Sequence, residues 1–344
     1  MIASTDKFLG LEGLRGILAL LVCVGHLGLN TVLSAYGLHV RFELAVDVFF
    51  VMSGFVLSHA YFFSVRPLSH FVVGRVARLY PLHLATLLVS YAIANAWFTK
   101  LDQVVFLQNV FLLQNIGLPP YAAGYNFPSW SISVEFWVGI AYFFAMRSQH
   151  AFKILFAVIA CLPMAVFLPN YLGVQAGNYA EVINGGLLRG VIGFAVGVSS
   201  YVVFRKLTAY RLPAWILWAL MTSLALLFAG ESSSKNQALA VTHALCFYSV
   251  SFASMIALSK TTFDGRIAVV AFTFWGAISY SVYLLHIPVY SFMEHVAGET
   301  AVRGVGKLWV LCVILILATL SATFFEKPIQ RWILRSILTK RSNS

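Results

Sequence analysis

Arg15 and His26 stand eleven residues apart inside one apolar run, "LEGLRGILALLVCVGHLGLN", Leu11–Asn30. At about 100° per residue, that spacing returns to within about 20° of the same helix face. At about 1.5 Å per residue, it separates them by about 16 Å along the axis. A guanidinium is a permanent cation with a fork of donors for phosphate or carboxylate, and an imidazole moves protons near neutral pH. Both cost free energy in hydrocarbon unless paired or hydrated, which makes each a functional candidate. The plainer readings are an interface anchor for Arg15, its charge snorkelling to water, and an interhelical hydrogen bond for His26.

Further ionisable groups recur in the same surroundings. Asp47 lies about one turn from the outer end of "FELAVDVFFVMSGFVLSHAY". Glu135 lies about two turns into "NFPSWSISVEFWVGI", beside Trp130, Ser131 and Ser133. In "ISYSVYLLHIPVY", Ser279, Tyr283 and His286 recur at steps of four and three, so they share one helical face. His286 also reads as a bundle-stabilising hydrogen-bonder. His26, Asp47, Glu135 and His286 all fall at middle to outer depth. A histidine beside a carboxylate is the chemistry of a general base, and equally of a proton relay. Arg75 and Arg78, three apart in "HFVVGRVARLYPLH", come just before Pro81, which reads as the opening of the next span. They fit a bidentate clamp on the phosphates of a cytosolic ligand, or simple positive-inside anchors.

The elements that carry these groups follow from the apolar runs. A spanning helix needs about 20 mostly apolar residues. By that measure the expectation is an all-α, polytopic transmembrane helix bundle of about ten spans. They lie near 12–33, 43–62, 79–98, 128–146, 152–169, 185–204, 214–229, 237–258, 273–296 and 307–325. The segment "DQVVFLQNVFLLQNIG" is too polar and short to span and reads as an interfacial or re-entrant helix. With the N-terminus inside, sixteen of the 23 Lys and Arg residues fall in cytoplasmic segments. Only Arg41, Lys100, Lys235, Arg303 and Lys307 fall outside, with Arg15 and Arg189 left near helix ends. The positive-inside bias therefore predicts both termini in the cytoplasm.

Composition agrees and excludes other classes. Hydrophobic residues make up 60% of the 344, charged ones 10%, and mean hydropathy is +0.85. Soluble domains carry about 25% charged residues. The net charge of +11 is spread too thinly for a nucleic-acid stripe. Cys23, Cys161, Cys246 and Cys312 sit in apolar runs without metal-site spacing, so no metal is expected. The first ten residues lack the charged start and cleavage site of a signal peptide, so the first run reads as a retained helix. The expectation is one membrane-embedded domain over residues 1–344, with no appended periplasmic domain.

Six segments in order, "LRGILALLVCVGH", "VDVFFVMSGFVLS", "RVARLYP", "WSISVEFW", "SYSVYLLH" and "FEKPIQRW", make the chain resemble the acyltransferase-3 family from about Gly10 to Trp332. Its members are bacterial integral membrane enzymes that commonly O-acetylate carbohydrates. The resemblance implies a multi-pass protein of the bacterial inner membrane. It carries the family's Arg-ten-residues-His pattern onto Arg15 and His26, its Arg-x-x-Arg pattern onto Arg75 and Arg78, its acid onto Glu135, and its histidine onto His286. It further implies acetyl-CoA as donor, with its phosphates on Arg75, Arg78 and Arg15. The pantetheine arm would reach toward His26. The acceptor would be a hydroxyl of an extracytoplasmic carbohydrate or lipid-linked glycan, with membrane lipids as surroundings and no nucleic acid. In that scheme His26 removes the hydroxyl proton or carries the acyl group, and Asp47 or Glu135 holds the imidazole. Ser279, Tyr283, His286 and Trp130 would support the substrate. A proton-coupled transporter would use the same residue types, but no paired repeats are visible. A non-catalytic scaffold would leave the buried charges unexplained.

Overall fold

The computed structural model describes residues 8–29, 39–62, 64, 67–97, 102–119, 124–148, 150, 155, 158, 185–207, 212–229, 237–263 and 265–338. In chain order the helices are α1 (Leu9–His26), α2 (Ala45–Tyr61), α3 (Leu68–Trp97), α4 (Gln103–Val110), α5 (Trp130–Ala145), α6 (Gly185–Lys206), α7 (Ala214–Phe228), α8 (Gln237–Lys260), α9 (Arg266–Ala297), α10 (Gly306–Leu320) and α11 (Lys327–Leu338). A 3-10 turn, Phe42–Leu44, leads into α2, and a π turn, Ser321–Glu326, joins α10 to α11. Among the described residues there is no strand beyond an isolated bridge, Val40 to Ala229.

Among the described residues, seven helical stretches are long and apolar enough to cross a membrane. They begin at Leu9, Phe42, Leu68, Gly185, Val241, Arg266 and Gly306. Two expected spans form shorter helices, α5 with 16 residues and α7 with 15. At about 1.5 Å per residue these rise only about 24 Å, against a core of about 30 Å. The expected span at 152–169 lies almost wholly outside the described residues. The short helix expected after Asp102 is α4. Asp102 caps it by accepting from the backbone N–H of Val104 (2.8 Å) and Val105 (3.2 Å).

Three boundaries differ from the pattern reading. α3 starts at Leu68 and runs through Pro81, so Arg75 and Arg78 sit inside the helix. Proline removes only one hydrogen bond, to the carbonyl four residues back, and apolar burial on both sides (Phe71, Ala77, Leu82, Leu87) carries the helix past it. α1 ends at His26, where Leu27 and Gly28, at φ 65, turn the chain out of the helix. His26 therefore stands at the helix end and not mid-span. The last span continues past residue 325 through the π turn to Leu338.

The helices sort into two compact units, each built from separate stretches of chain. The first holds Met1–Phe62, Ala145–Tyr171 and Arg189–Ser279. In it α1 packs on α2 and α8, and α7 packs on α8. Where α2 faces α6, a Cβ at Gly54 would strike the backbone of Phe194, and one at Gly197 would strike the carbonyl of Val51. Small residues of this kind let helix backbones touch where lipid supplies no hydrophobic drive. The second unit holds Phe63–Phe144, Leu172–Leu188 and Tyr280–Ser344. There α11 lies along α3, which also touches α4 and the π turn.

Candidate functional site

In the first unit, the apolar helix α1 keeps its arginine by saturating it. Arg15 donates Nε to Ser279 Oγ (3.0 Å), and Nη2 to Glu12 Oε2 (2.6 Å) and the Gly276 carbonyl (2.7 Å). Ser279 in turn donates to the Gly276 carbonyl at 2.9 Å. Arg15 thus ties α1 to the first half of α9. Glu12, one turn before Arg15, was not singled out from sequence, although an acid three residues from a buried cation is a readable signal. At the far end of α1, the ring of His26 meets Phe42 edge to face, with centroids 5.2 Å apart.

Asp47 does not orient that imidazole. Both its oxygens are taken: Oδ1 accepts from Arg189 Nε (3.0 Å) and Tyr248 OH (2.9 Å), and Oδ2 from Arg189 Nη2 (2.8 Å). The Arg189 side chain is 0% exposed and that of Asp47 2%. The reason is burial: a carboxylate this deep takes the strongest fixed cation within reach, and Arg189 supplies two donors in fork geometry. Arg189 Nη2 also donates to the carbonyl of Glu43 at 2.7 Å. Neither Arg189 nor Tyr248 was assigned a role from sequence.

The second unit holds the arginine pair. Arg75 and Arg78 are a turn apart on α3, as their spacing predicts, but their surroundings differ. Arg75 is buried and donates Nη1 to Glu135 Oε1 (3.0 Å) and Nη2 to the Glu135 carbonyl (3.1 Å). Its Nε is buried without a partner. Arg78 is exposed and hydrogen-bonds to no other described residue. Arg75 and Glu135, expected at opposite depths, touch, so their separation in depth is corrected. The cause is the longer α3, which places Arg75 within the helix at a buried position, where a guanidinium needs an anion.

Tyr280 lies among these charges, within electrostatic reach of Arg75, Arg78, Glu135 and Glu326. Its hydroxyl donates to the Leu79 carbonyl at 2.6 Å. Glu326, the last residue of the π turn, accepts from the hydroxyls of Ser281 and Ser321, the latter at 3.1 Å. π turns inside helices are frequent at functional sites. Glu326 and Tyr280 both lie in segments quoted above, yet neither was assigned a role. An acid within the last apolar run was the available signal.

The remaining candidates are held by local partners. Tyr283 and Ser131 hydroxyls are 2.7 Å apart, and both reach the Pro128 carbonyl (3.2 and 3.1 Å). His286 is fully buried; its Nδ1–H donates to the Val282 carbonyl (3.1 Å), and its ring lies against Tyr283. Trp130 opens α5 at 3% exposure, so close to Gly186 that a Cβ there would press on the indole. That indole is a packing element, with no face open for a sugar ring. Among the described residues no group of three or more His, Cys, Asp or Glu could hold a metal ion.

A multi-pass helical membrane protein that buries paired arginines, carboxylates and histidines within its apolar helices is the class that fold and site define. Residues 8–327 match the acyltransferase domain family Acyl_transf_3, and the chain belongs to that family. It is 33% identical over 108 residues to "Acyltransferase MdmB" of Streptomyces mycarofaciens, covering 27% of this chain and 26% of that protein. It is 37% identical over 95 residues to "Protein 2 in picA locus" of Rhizobium radiobacter, covering 25% of this chain and 46% of that protein. The chain thus spans about a quarter and about half the length of these two relatives. No solved structure matches it.

Proposed function

We propose that the protein transfers an acyl group, acetyl in the simplest case, from cytoplasmic acetyl-CoA to a hydroxyl of an extracytoplasmic carbohydrate or lipid-linked glycan. The enzyme sits in the bacterial inner membrane with both termini in the cytoplasm. What carries the reading is family membership across residues 8–327, with the one ring nitrogen base of α1, His26, eleven residues beyond Arg15. His26 takes the proton of the acceptor hydroxyl as its oxygen attacks the thioester carbonyl. The new C–O ester bond forms, the C–S bond breaks, and the proton passes to the CoA thiolate. General-base assistance of this kind is worth about 10²–10⁴ in rate.

Arg78, exposed and hydrogen-bonded to no other described residue, supplies donors for the CoA phosphates, with the buried Arg75 adding its charge one turn away. Glu135 and Glu326 hold that cluster in register, Glu135 directly on Arg75 and Glu326 through the π turn. Arg15 acts as a tie between α1 and α9, setting the height of His26. Comparing envelope glycans by mass spectrometry from cells with and without the gene tests the reaction. A lost acetyl ester, restored by the wild-type gene and not by His26→Ala present at equal level in the membrane, is the expected result. Identical glycans in all strains would refute it.

A further inference from the structure

A fully buried ion pair is expensive, and replacing one by apolar residues of similar size is often neutral or stabilising. Arg189 and Asp47 therefore need a reason beyond holding α6 against α2, a task the glycine contacts already perform. The geometry supplies one. Arg189 Nη2 donates to two acceptors at once, Asp47 Oδ2 on the first turn of α2 and the Glu43 carbonyl in the 3-10 turn before it. One nitrogen thus locks the turn Phe42–Leu44 to the helix that follows. The same turn is held from its other side, where Arg41 reaches Glu43 Oε1 (3.3 Å) and the Arg41 N–H donates to the Phe228 carbonyl (2.8 Å). What the turn presents is Phe42. Its ring lies on α1 at Gly25, where any Cβ would overlap the phenyl carbons, and meets the ring of His26 edge to face.

From this we infer that Arg189, acting through the Phe42–Leu44 turn, sets the orientation of the His26 imidazole, making Arg189 and Phe42 positioning residues for acyl transfer. The inference rests on the reading of His26 as the base. His26 is the final residue of α1, with a turn following it. A general base works only within about 2.6–3.2 Å of the proton it removes. A displacement of about 1 Å can cost about 10²-fold in rate. Phe42 walls the ring on the side of the turn, and the buried pair keeps that wall from moving.

The test uses the full-length enzyme in proteoliposomes, with acetyl-CoA as donor and the envelope glycan fraction as acceptor. Phe42→Ala, Phe42→Tyr, the double variant Arg189→Met with Asp47→Leu, and His26→Ala are compared. Phe42 is only part-buried, so its variants leave the core intact even if the double variant fails to accumulate. The expected result is a fall of about 10–100-fold in kcat for Phe42→Ala and for the double variant. KM for acetyl-CoA stays within about twofold, and Phe42→Tyr recovers most of the turnover. In parallel, carbethoxylation of His26 by diethyl pyrocarbonate, followed on its peptide by mass spectrometry, speeds up in Phe42→Ala and not in Phe42→Tyr. Wild-type kcat in Phe42→Ala, a loss confined to KM, or unchanged His26 labelling each overturns the positioning role. If His26→Ala is inactive while Phe42→Ala turns over normally, only the positioning fails. Full transfer by His26→Ala brings down the base reading itself, and this inference with it.

Discussion

Two buried arginine–carboxylate pairs, one in each unit, are built to opposite ends. In Arg189–Asp47 three donors fill both carboxylate oxygens, and the guanidinium spends a further bond on a backbone carbonyl. In Arg75–Glu135 the guanidinium is held by one carboxylate oxygen and one carbonyl, keeps its Nε unused, and has the exposed Arg78 one turn away. A saturated pair can only hold structure. A pair with a spare donor beside an exposed cation keeps hydrogen-bonding capacity that its own carboxylate does not use. On the function proposed above, the first serves as scaffold behind His26 and the second as part of the site for a phosphorylated donor.

The contrast is most severely tested by breaking the saturated pair from one side. Asp47→Ala leaves a buried guanidinium without its carboxylate, a change that costs about 3–5 kcal/mol. The variant is expected to lose most of its folded yield, or to drop sharply in thermal midpoint, by size-exclusion of the detergent-solubilised protein. An unchanged midpoint would remove the distinction between the pairs. Arg78→Ala should do the reverse. Fold and expression stay at wild-type level, while the loss of one charged hydrogen bond, about 1.5–3 kcal/mol, weakens acetyl-CoA binding about tenfold or more. Calorimetry with the purified protein reads this directly, and equal affinity would reduce Arg78 to a topology anchor. Arg75→Ala should sit between the two, losing both stability and affinity because it also abandons Glu135. The smallest effect belongs to a residue outside both clusters. Asp102→Ala removes the cap of α4 and should cost about 1 kcal/mol, seen as faster amide exchange at Val104 and Val105 with turnover unchanged.

Much of the fold was legible because bilayer thickness writes itself into run length. The expected runs in the described residues all returned as helices, and two of them proved short. Boundaries went astray where a local rule met a tertiary override. Pro81 reads as a helix start, but packing on both sides carries α3 through it. The site was legible in its ingredients more than in its pairings. Arg75 and Arg78 share a helix face because three residues set that geometry locally. Arg189 and Asp47 lie 142 positions apart, and no local period links them. An ion pair of that kind is decided by which helix backbones approach, here through Gly54 and Gly197. Asp47 therefore looked like a partner for the nearest histidine in pattern, when the deeper anion needed the stronger cation. Phe42 gave no signal at all, since an aromatic near a membrane interface is ordinary.

The measurement closest to the centre of this account is single-turnover transfer of radiolabelled acetyl from acetyl-CoA to the glycan fraction, comparing wild type with His26→Ala at matched membrane levels. The account predicts normal acetyl-CoA binding by the variant and a rate lower by about 10²–10⁴. Transfer at the wild-type rate would contradict it.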